Sequence, residues 1–88
     1  MEVLYTNPFV KDLQKVKGKS LAFDIEQVIF SVKGASRISD IKEIKKLKGF
    51  TNAYRITMGQ YRFGLYINGN TAEFARFMHR KEIYRYFP

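Results

Sequence analysis

Ala53-Tyr54-Arg55-Ile56-Thr57-Met58-Gly59-Gln60-Tyr61-Arg62-Phe63-Gly64-Leu65-Tyr66-Ile67 is the stretch whose reading decides the fold. Tyr54, Ile56 and Met58 alternate with Arg55 and Thr57; beyond Gly59-Gln60, Tyr61, Phe63, Leu65 and Ile67 alternate with Arg62, Gly64 and Tyr66. A period of two belongs to strands, because successive side chains point to opposite faces. A two-residue loop with glycine first fits a type II′ turn, so the run reads as a β-hairpin. The register that follows pairs Met58 with Tyr61, Thr57 with Arg62, Ile56 with Phe63 and Arg55 with Gly64.

One face of this hairpin is wholly apolar and has to be covered by helices. The other carries Arg55 and Arg62 as diagonal neighbours. Gly64 lies opposite Arg55, where a missing side chain either leaves room for another molecule's backbone or merely eases a bend. Asn68-Gly69-Asn70 turns the chain into a further strand over Thr71–Met78. A three-residue loop would set Arg62 opposite Arg76, both outward, with Ala75 and Phe77 in the core; a two-residue loop would reverse every side chain. The three-residue form is expected, since it keeps Arg76 out of the core, although it leaves Glu73 near the core edge.

Upstream, Val3-Leu4-Tyr5 reads as a short strand running into a helix with Asn7 as N-cap and Pro8 at the first helical position. Phe9, Leu13 and Val16 keep helical spacing up to Gly18. Leu21, Ile25, Val28, Ile29 and Val32 form the apolar stripe of a second helix that starts near Lys19 or Ser20 and ends at Gly34. Ser36 to Gly49 is expected to hold a helical turn capped by Ser39 or Asp40, with Ile41, Ile44 and Leu47 inward and Lys42, Lys45, Lys46 and Lys48 in water. At the end of the chain, Arg80 and Tyr84 are four apart and would share a face of one terminal helical turn, while Ile83 and Phe87 pack down. The expected class is α+β: an N-terminal strand, a helical hairpin on one face of a small antiparallel sheet, and a short C-terminal helical turn, all in one domain spanning 1–88.

Composition narrows the function. The 88 residues carry a formal charge of +8, and 45% are hydrophobic, enough to drive a thin core. Residues 1–41 hold six Lys/Arg against five acids; residues 42–88 hold ten against three. Concentration of charge in one half is the electrostatic footprint of a polyanionic partner. No cysteine is present, no signal-peptide order opens the chain, and no apolar run has membrane-spanning length, so a cytoplasmic protein without membrane association is expected. One histidine and scattered carboxylates do not make an ordinary metal centre, and no glycine-rich loop precedes a helix. Neither a metal nor a small-molecule cofactor is therefore expected.

A sheet face with several cations, an imidazole and phenols suits cleavage of RNA through its own 2′-hydroxyl. Arginine binds phosphate oxygens with a planar fork and stays charged as negative charge develops. His79 is a candidate for proton transfer near neutrality, with a structural hydrogen bonder as the plain alternative. Tyr84 is a candidate for stacking the scissile nucleotide. Lys45, Lys46 and Lys48 read as a solvated face with general RNA affinity.

Leu47-Lys48-Gly49, Tyr54-Arg55-Ile56, Gly59-Gln60-Tyr61-Arg62 and His79-Arg80-Lys81-Glu82-Ile83-Tyr84-Arg85 together resemble the RelE/ParE superfamily of bacterial and archaeal toxins, RelE-like branch, over essentially the whole chain. The resemblance implies the toxin of a type II toxin–antitoxin pair, silenced by a cognate protein antitoxin, which enters the ribosomal A site and cleaves messenger RNA without a metal. It further implies that Arg62 and Arg80 stabilise the transition state and that Tyr84 stacks or helps orient the nucleotide; His79 is the substitute candidate for proton transfer in this catalytic set. By the same resemblance Arg55 would hold phosphate and Lys45, Lys46 and Lys48 would contact ribosomal RNA, while the strand register adds Arg76 beside Arg62 as a further RNA-binding cation. Thr57 stands where some RelE-like members carry a lysine used in proton transfer, which leaves the general base open. The alternatives are a ParE-type inhibitor of DNA gyrase and a basic RNA-binding domain without activity.

Overall fold

In the computed structural model, which describes all residues from Met1 to Pro88, the chain runs β1 (Glu2–Tyr5), α1 (Asn7–Gln14), α2 (Lys19–Gly34), a 3-10 turn (Ile38–Asp40), β2 (Ile44–Lys46), β3 (Ala53–Met58), β4 (Tyr61–Asn68), β5 (Thr71–His79) and α3 (Ile83–Tyr86). The strands form one sheet in the order β1-β5-β4-β3-β2. All neighbours are antiparallel except β1, which lies parallel to β5. The sheet expected to be antiparallel therefore has one parallel edge. A parallel pairing needs a long crossover, which the helical hairpin and the following strands supply.

The β3–β4 hairpin has the register that its period dictates, from Ala53 opposite Tyr66 to Met58 opposite Tyr61. Gly59 takes a φ of 58° while Gln60 does not enter the positive region, as a type II′ turn requires. The second hairpin departs from expectation. Asn68 pairs with Thr71, so the loop has two residues, Gly69 and Asn70. A bulge then intervenes: Leu65 faces Phe74 but Gly64 faces Arg76, leaving Ala75 as the extra residue of β5. The short loop sends Ala72 and Phe74 into the core, and the bulge resets the phase so that Phe77 rather than Arg76 points inward. Arg62 consequently lies opposite Met78, not Arg76.

Thr6, not Asn7, caps α1: its hydroxyl accepts the Phe9 N–H at 3.1 Å and donates to the Ala75 carbonyl at 2.8 Å. The cap thus joins helix and bulge, which moves it one residue upstream and leaves Pro8 within the first turn. Helix α2 has the expected bounds, with Ile25 and Val32 buried and Leu21, Val28 and Ile29 half-buried on the same stripe. Between these helices and the sheet, the rings of Phe9, Phe63, Phe74 and Phe77 pack together. Phe9 and Phe74 have centroids 5.2 Å apart, and Phe63 and Phe77 4.9 Å. Each fully buried ring contributes about 1.5–3 kcal/mol of transfer free energy.

The lysine-rich connector is not a helical turn beyond Asp40. Its 3-10 turn ends at Asp40, and Ile44–Lys46 forms β2 against β3. Ile41 is buried, Ile44 and Leu47 are half-buried, and the lysines are exposed, as anticipated. A three-residue spacing of apolar groups does not distinguish a helix from a short edge strand followed by a turn. The entry to β2 passes through Glu43, the only non-glycine residue at positive φ, whose carbonyl accepts the Thr57 N–H at 3.1 Å.

Helix α3 lies on the sheet face away from α1 and α2. Ile83 and Phe87 are buried there with Ala53 and Ala75, packed against Leu47, Tyr66 and Met78. Both were expected to pack down. Arg80, however, precedes α3 and sits on the turn after β5, so it does not share a helical face with Tyr84.

Candidate functional site

The register places the charged residues in rows across the outer sheet face. One row runs Lys45, Arg55, Gly64, Arg76, and the next runs Thr57, Arg62, Met78. The Arg80 N–H donates to the Gln60 carbonyl at 2.8 Å, which extends β5 beside the first hairpin turn and brings Arg80 next to the Arg62 row. Helix α3 and Phe87 cover the part of this face around Gly64 and Tyr66. Gly64 is therefore not an open floor: the chain's own Phe87 ring fills it.

What stays open is a cationic end, where the side chains of Arg55 and Arg62 are held. Arg55 Nη1 donates to Thr57 Oγ1. Arg62 Nη1 donates to the carbonyls of Gly59 and Tyr61, both at 2.9 Å, which ties the guanidinium to the hairpin turn. The molecule's single salt bridge joins Arg76 to Asp12, so Arg55, Arg62, Arg80 and Lys45 have no acidic partner. Guanidinium groups without an acidic partner have the chemistry to take up an anion such as phosphate. Tyr84, on the exposed side of α3, is 54% accessible.

Four expected members are placed elsewhere. Arg76 is committed: its Nε and Nη2 hold Asp12 Oδ2 and Oδ1 at 2.8 and 3.0 Å, and its Cζ lies 5.2 Å from the centre of the Tyr86 ring. The hydrogen bonds and charge of Asp12 raise the Arg76 pKa further above its ordinary value, against a smaller opposing effect of burial. His79 lies opposite Tyr61, on the helix-facing side, and lines a cleft of about 440 Å³ with Asp12, Lys15 and Val16. Its Nδ1 accepts the Lys81 N–H at 3.1 Å. The structure thus does not bring His79 together with the arginines. Lys46 pairs with Tyr54 and falls on the face opposite Lys45, and Lys48 lies beyond β2 in the turn.

Sequence reasoning missed Asp12, the only buried charged residue, which also accepts the Phe77 N–H at 2.9 Å. Its position four residues before Val16 looks like any helical carboxylate; only the bulge in β5 reveals its partner.

No family model matches the sequence. The chain is, however, 45% identical over 89 aligned residues to Toxin RelE3 of Methanocaldococcus jannaschii, with both chains covered in full. The chain belongs to the RelE toxin family. Among solved structures, the RelB–RelE antitoxin–toxin complex from Methanococcus jannaschii contains a chain that matches at a TM-score of 0.79 and 42% identity, covering 97% of this chain and 99% of that one. The archaeal RelE–RelB complex from Pyrococcus horikoshii OT3 matches at a TM-score of 0.72 and 19% identity, over 90% of this chain and 93% of that one, and speaks for a shared RelE fold.

Proposed function

We propose that this chain is the toxin of a type II toxin–antitoxin pair and that it stops translation by cutting messenger RNA in the ribosomal A site. The observation that carries this reading is the division of the outer sheet face. Its centre is sealed by α3 and Phe87, while its end presents Arg55, Arg62 and Arg80 without acidic partners. A family that includes a named RelE toxin supports it further.

In the reaction, the ribose 2′-hydroxyl gives up its proton to water as its oxygen bonds to the adjacent phosphorus; the bond from phosphorus to the 5′-oxygen breaks, that oxygen takes a proton from water, and a 2′,3′-cyclic phosphate is left. Negative charge builds on the non-bridging oxygens as phosphorus becomes five-coordinate. Arg62 and Arg80 stabilise that charge, and the placement of the Arg62 guanidinium by two turn carbonyls spares part of the reorganisation at the moment of reaction. Arg55 holds a flanking phosphate, and Tyr84 stacks on the scissile nucleotide. Lys45 and Lys48 add contacts to ribosomal RNA. His79 serves the site from behind, by fixing the turn that carries Arg80. Side chains stabilise the charge, the substrate's own hydroxyl is the nucleophile and water carries the protons, so no step calls for a metal. The relatives from M. jannaschii and P. horikoshii are seen in complex with RelB, and a cognate antitoxin of that kind is the partner proposed for this chain.

Purified protein added to ribosomes programmed with a defined messenger is expected to produce cuts inside the A-site codon, and none in the same messenger free of ribosomes. Intact messengers accompanied by broken DNA in expressing cells would overturn the reading in favour of gyrase poisoning. A complete lack of growth inhibition would reduce the domain to RNA binding.

A further inference from the structure

Helix α3 has four residues and cannot hold itself in place, since an isolated turn of helix does not repay its nucleation cost. Its position is set by contacts at its two ends. Ile83 and Phe87 anchor it by burial. The remaining contact is polar and reaches across the sheet edge: the Tyr86 ring lies over the guanidinium of Arg76, which is in turn clamped by Asp12 of α1.

Asp12 occupies a place that a strand would otherwise fill. β1 pairs with β5 only as far as Phe74, so the edge N–H groups beyond the bulge need another acceptor. Asp12 Oδ2 takes the Phe77 N–H at 2.9 Å and the Arg76 Nε at 2.8 Å, while Oδ1 takes Nη2. With one edge of the planar fork bound at two points, the guanidinium plane is fixed and its position against Tyr86 is determined. A cation beside an aromatic ring attracts it, more strongly where water is partly excluded.

We propose that Asp12 is a positioning residue for the cleavage reaction: through Arg76 and Tyr86 it fixes the rotation of α3 and so sets the placement of Tyr84, the exposed residue of that helix to which the proposed function gives the stacking role. The inference rests on the messenger-cleaving function proposed above. Asp12 touches no substrate, so its effect falls on the chemical step rather than on ribosome binding, which the exposed cations govern.

Asp12→Asn keeps the shape and an acceptor for the Phe77 N–H but removes the charge. Two readouts decide the matter. In single-turnover cleavage on programmed ribosomes, Asp12→Asn should lower the rate constant about tenfold with little change in the half-saturating ribosome concentration, and should add nothing further in a Tyr84→Ala background. In native-state hydrogen exchange of the free protein, the Arg85 and Phe87 amides, which donate to Glu82 and Ile83, should exchange about tenfold faster while those of Phe63 and Leu65 keep their protection. Tyr86→Leu, which leaves Asp12 and Arg76 in place, should act in the same direction. An unchanged cleavage rate, an effect additive with Tyr84→Ala, or loss of protection in β4 as well as α3 would overturn the proposal. If the unmodified protein cuts no messenger, the cleavage reading fails by itself; the fixing of α3 then stands or falls on the exchange data.

Discussion

Phe87 lies directly on Gly64: a Cβ built on the glycine would come within 2.5 Å of the phenyl Cγ. A central strand position that looks vacant is therefore the seat of the C-terminal segment. Tyr66, next but one along β4, flanks the same ring with centroids 5.1 Å apart. The contact sets how far α3 extends over the sheet, and hence how much of the cationic end remains free.

Gly64→Ala is accordingly expected to destabilise the fold by about 2 kcal/mol through overpacking, with the denaturation midpoint lowered and its slope unchanged. Phe87→Ala should cost on the order of 3 kcal/mol as a buried ring is lost. The double variant should cost clearly less than the two together, because the alanine methyl has nothing to strike once the ring is gone. Additive losses would mean that Gly64 is needed for another reason.

Arg62→Ala and Tyr84→Ala should each reduce ribosome-dependent cleavage by about 100-fold or more, since each removes a group that acts on the reacting nucleotide. Tyr84 is accessible, so its loss should leave stability within about 0.5 kcal/mol of the unmodified protein, whereas the half-buried Arg62 gives up two bonds to turn carbonyls and should cost about 1 kcal/mol. Thermal unfolding together with primer extension across the cut site checks both halves. Retained cleavage in both variants would remove the site from this face.

Lys45 and Lys46 are neighbours in sequence but face opposite ways, because Lys45 pairs with Arg55 and Lys46 with Tyr54. Lys45→Ala should weaken binding to ribosomal RNA and lower the salt dependence by about one counterion. Lys46→Ala should do neither. Binding isotherms over a range of salt concentrations separate them, and equal effects would show that the lysines act as a diffuse cloud.

Thr6→Ala removes both the helix cap and the bond to the bulge carbonyl at Ala75, and should cost about 1–2 kcal/mol in chemical denaturation. Thr6→Ser retains the hydroxyl and should recover most of that loss. An alanine variant as stable as the original would mean that water caps the helix equally well.

The first hairpin was fully legible in the sequence, because its alternation and its glycine turn are local and leave one register. The outward pair Arg55 and Arg62 followed from it. The second hairpin was not legible by length of loop alone, yet its strand carries a trace of the bulge: apolar residues fall at Ala72 and Phe74 and then at Phe77, three positions on. A break in period two marks an inserted residue. Lys45 and Lys46 were placed on one wet face, since a three-residue edge strand is too short to display a period.

Composition and pattern by themselves determined the α+β class, the helical stripes, the cationic second half and the arginine-bearing strands. These depend on neighbours close in the chain, where steric alternation acts directly. Only the tertiary structure decided that Arg76 binds Asp12, 64 positions away, that His79 turns toward the helices, and that Phe87 fills the space above Gly64. Those outcomes depend on one bulge and on which distant segment packs on a vacant surface, and neither is encoded in any local period. The hairpin that defined the fold thus also defined the arginine face, and the packing of distant residues determined which part of that face remained open.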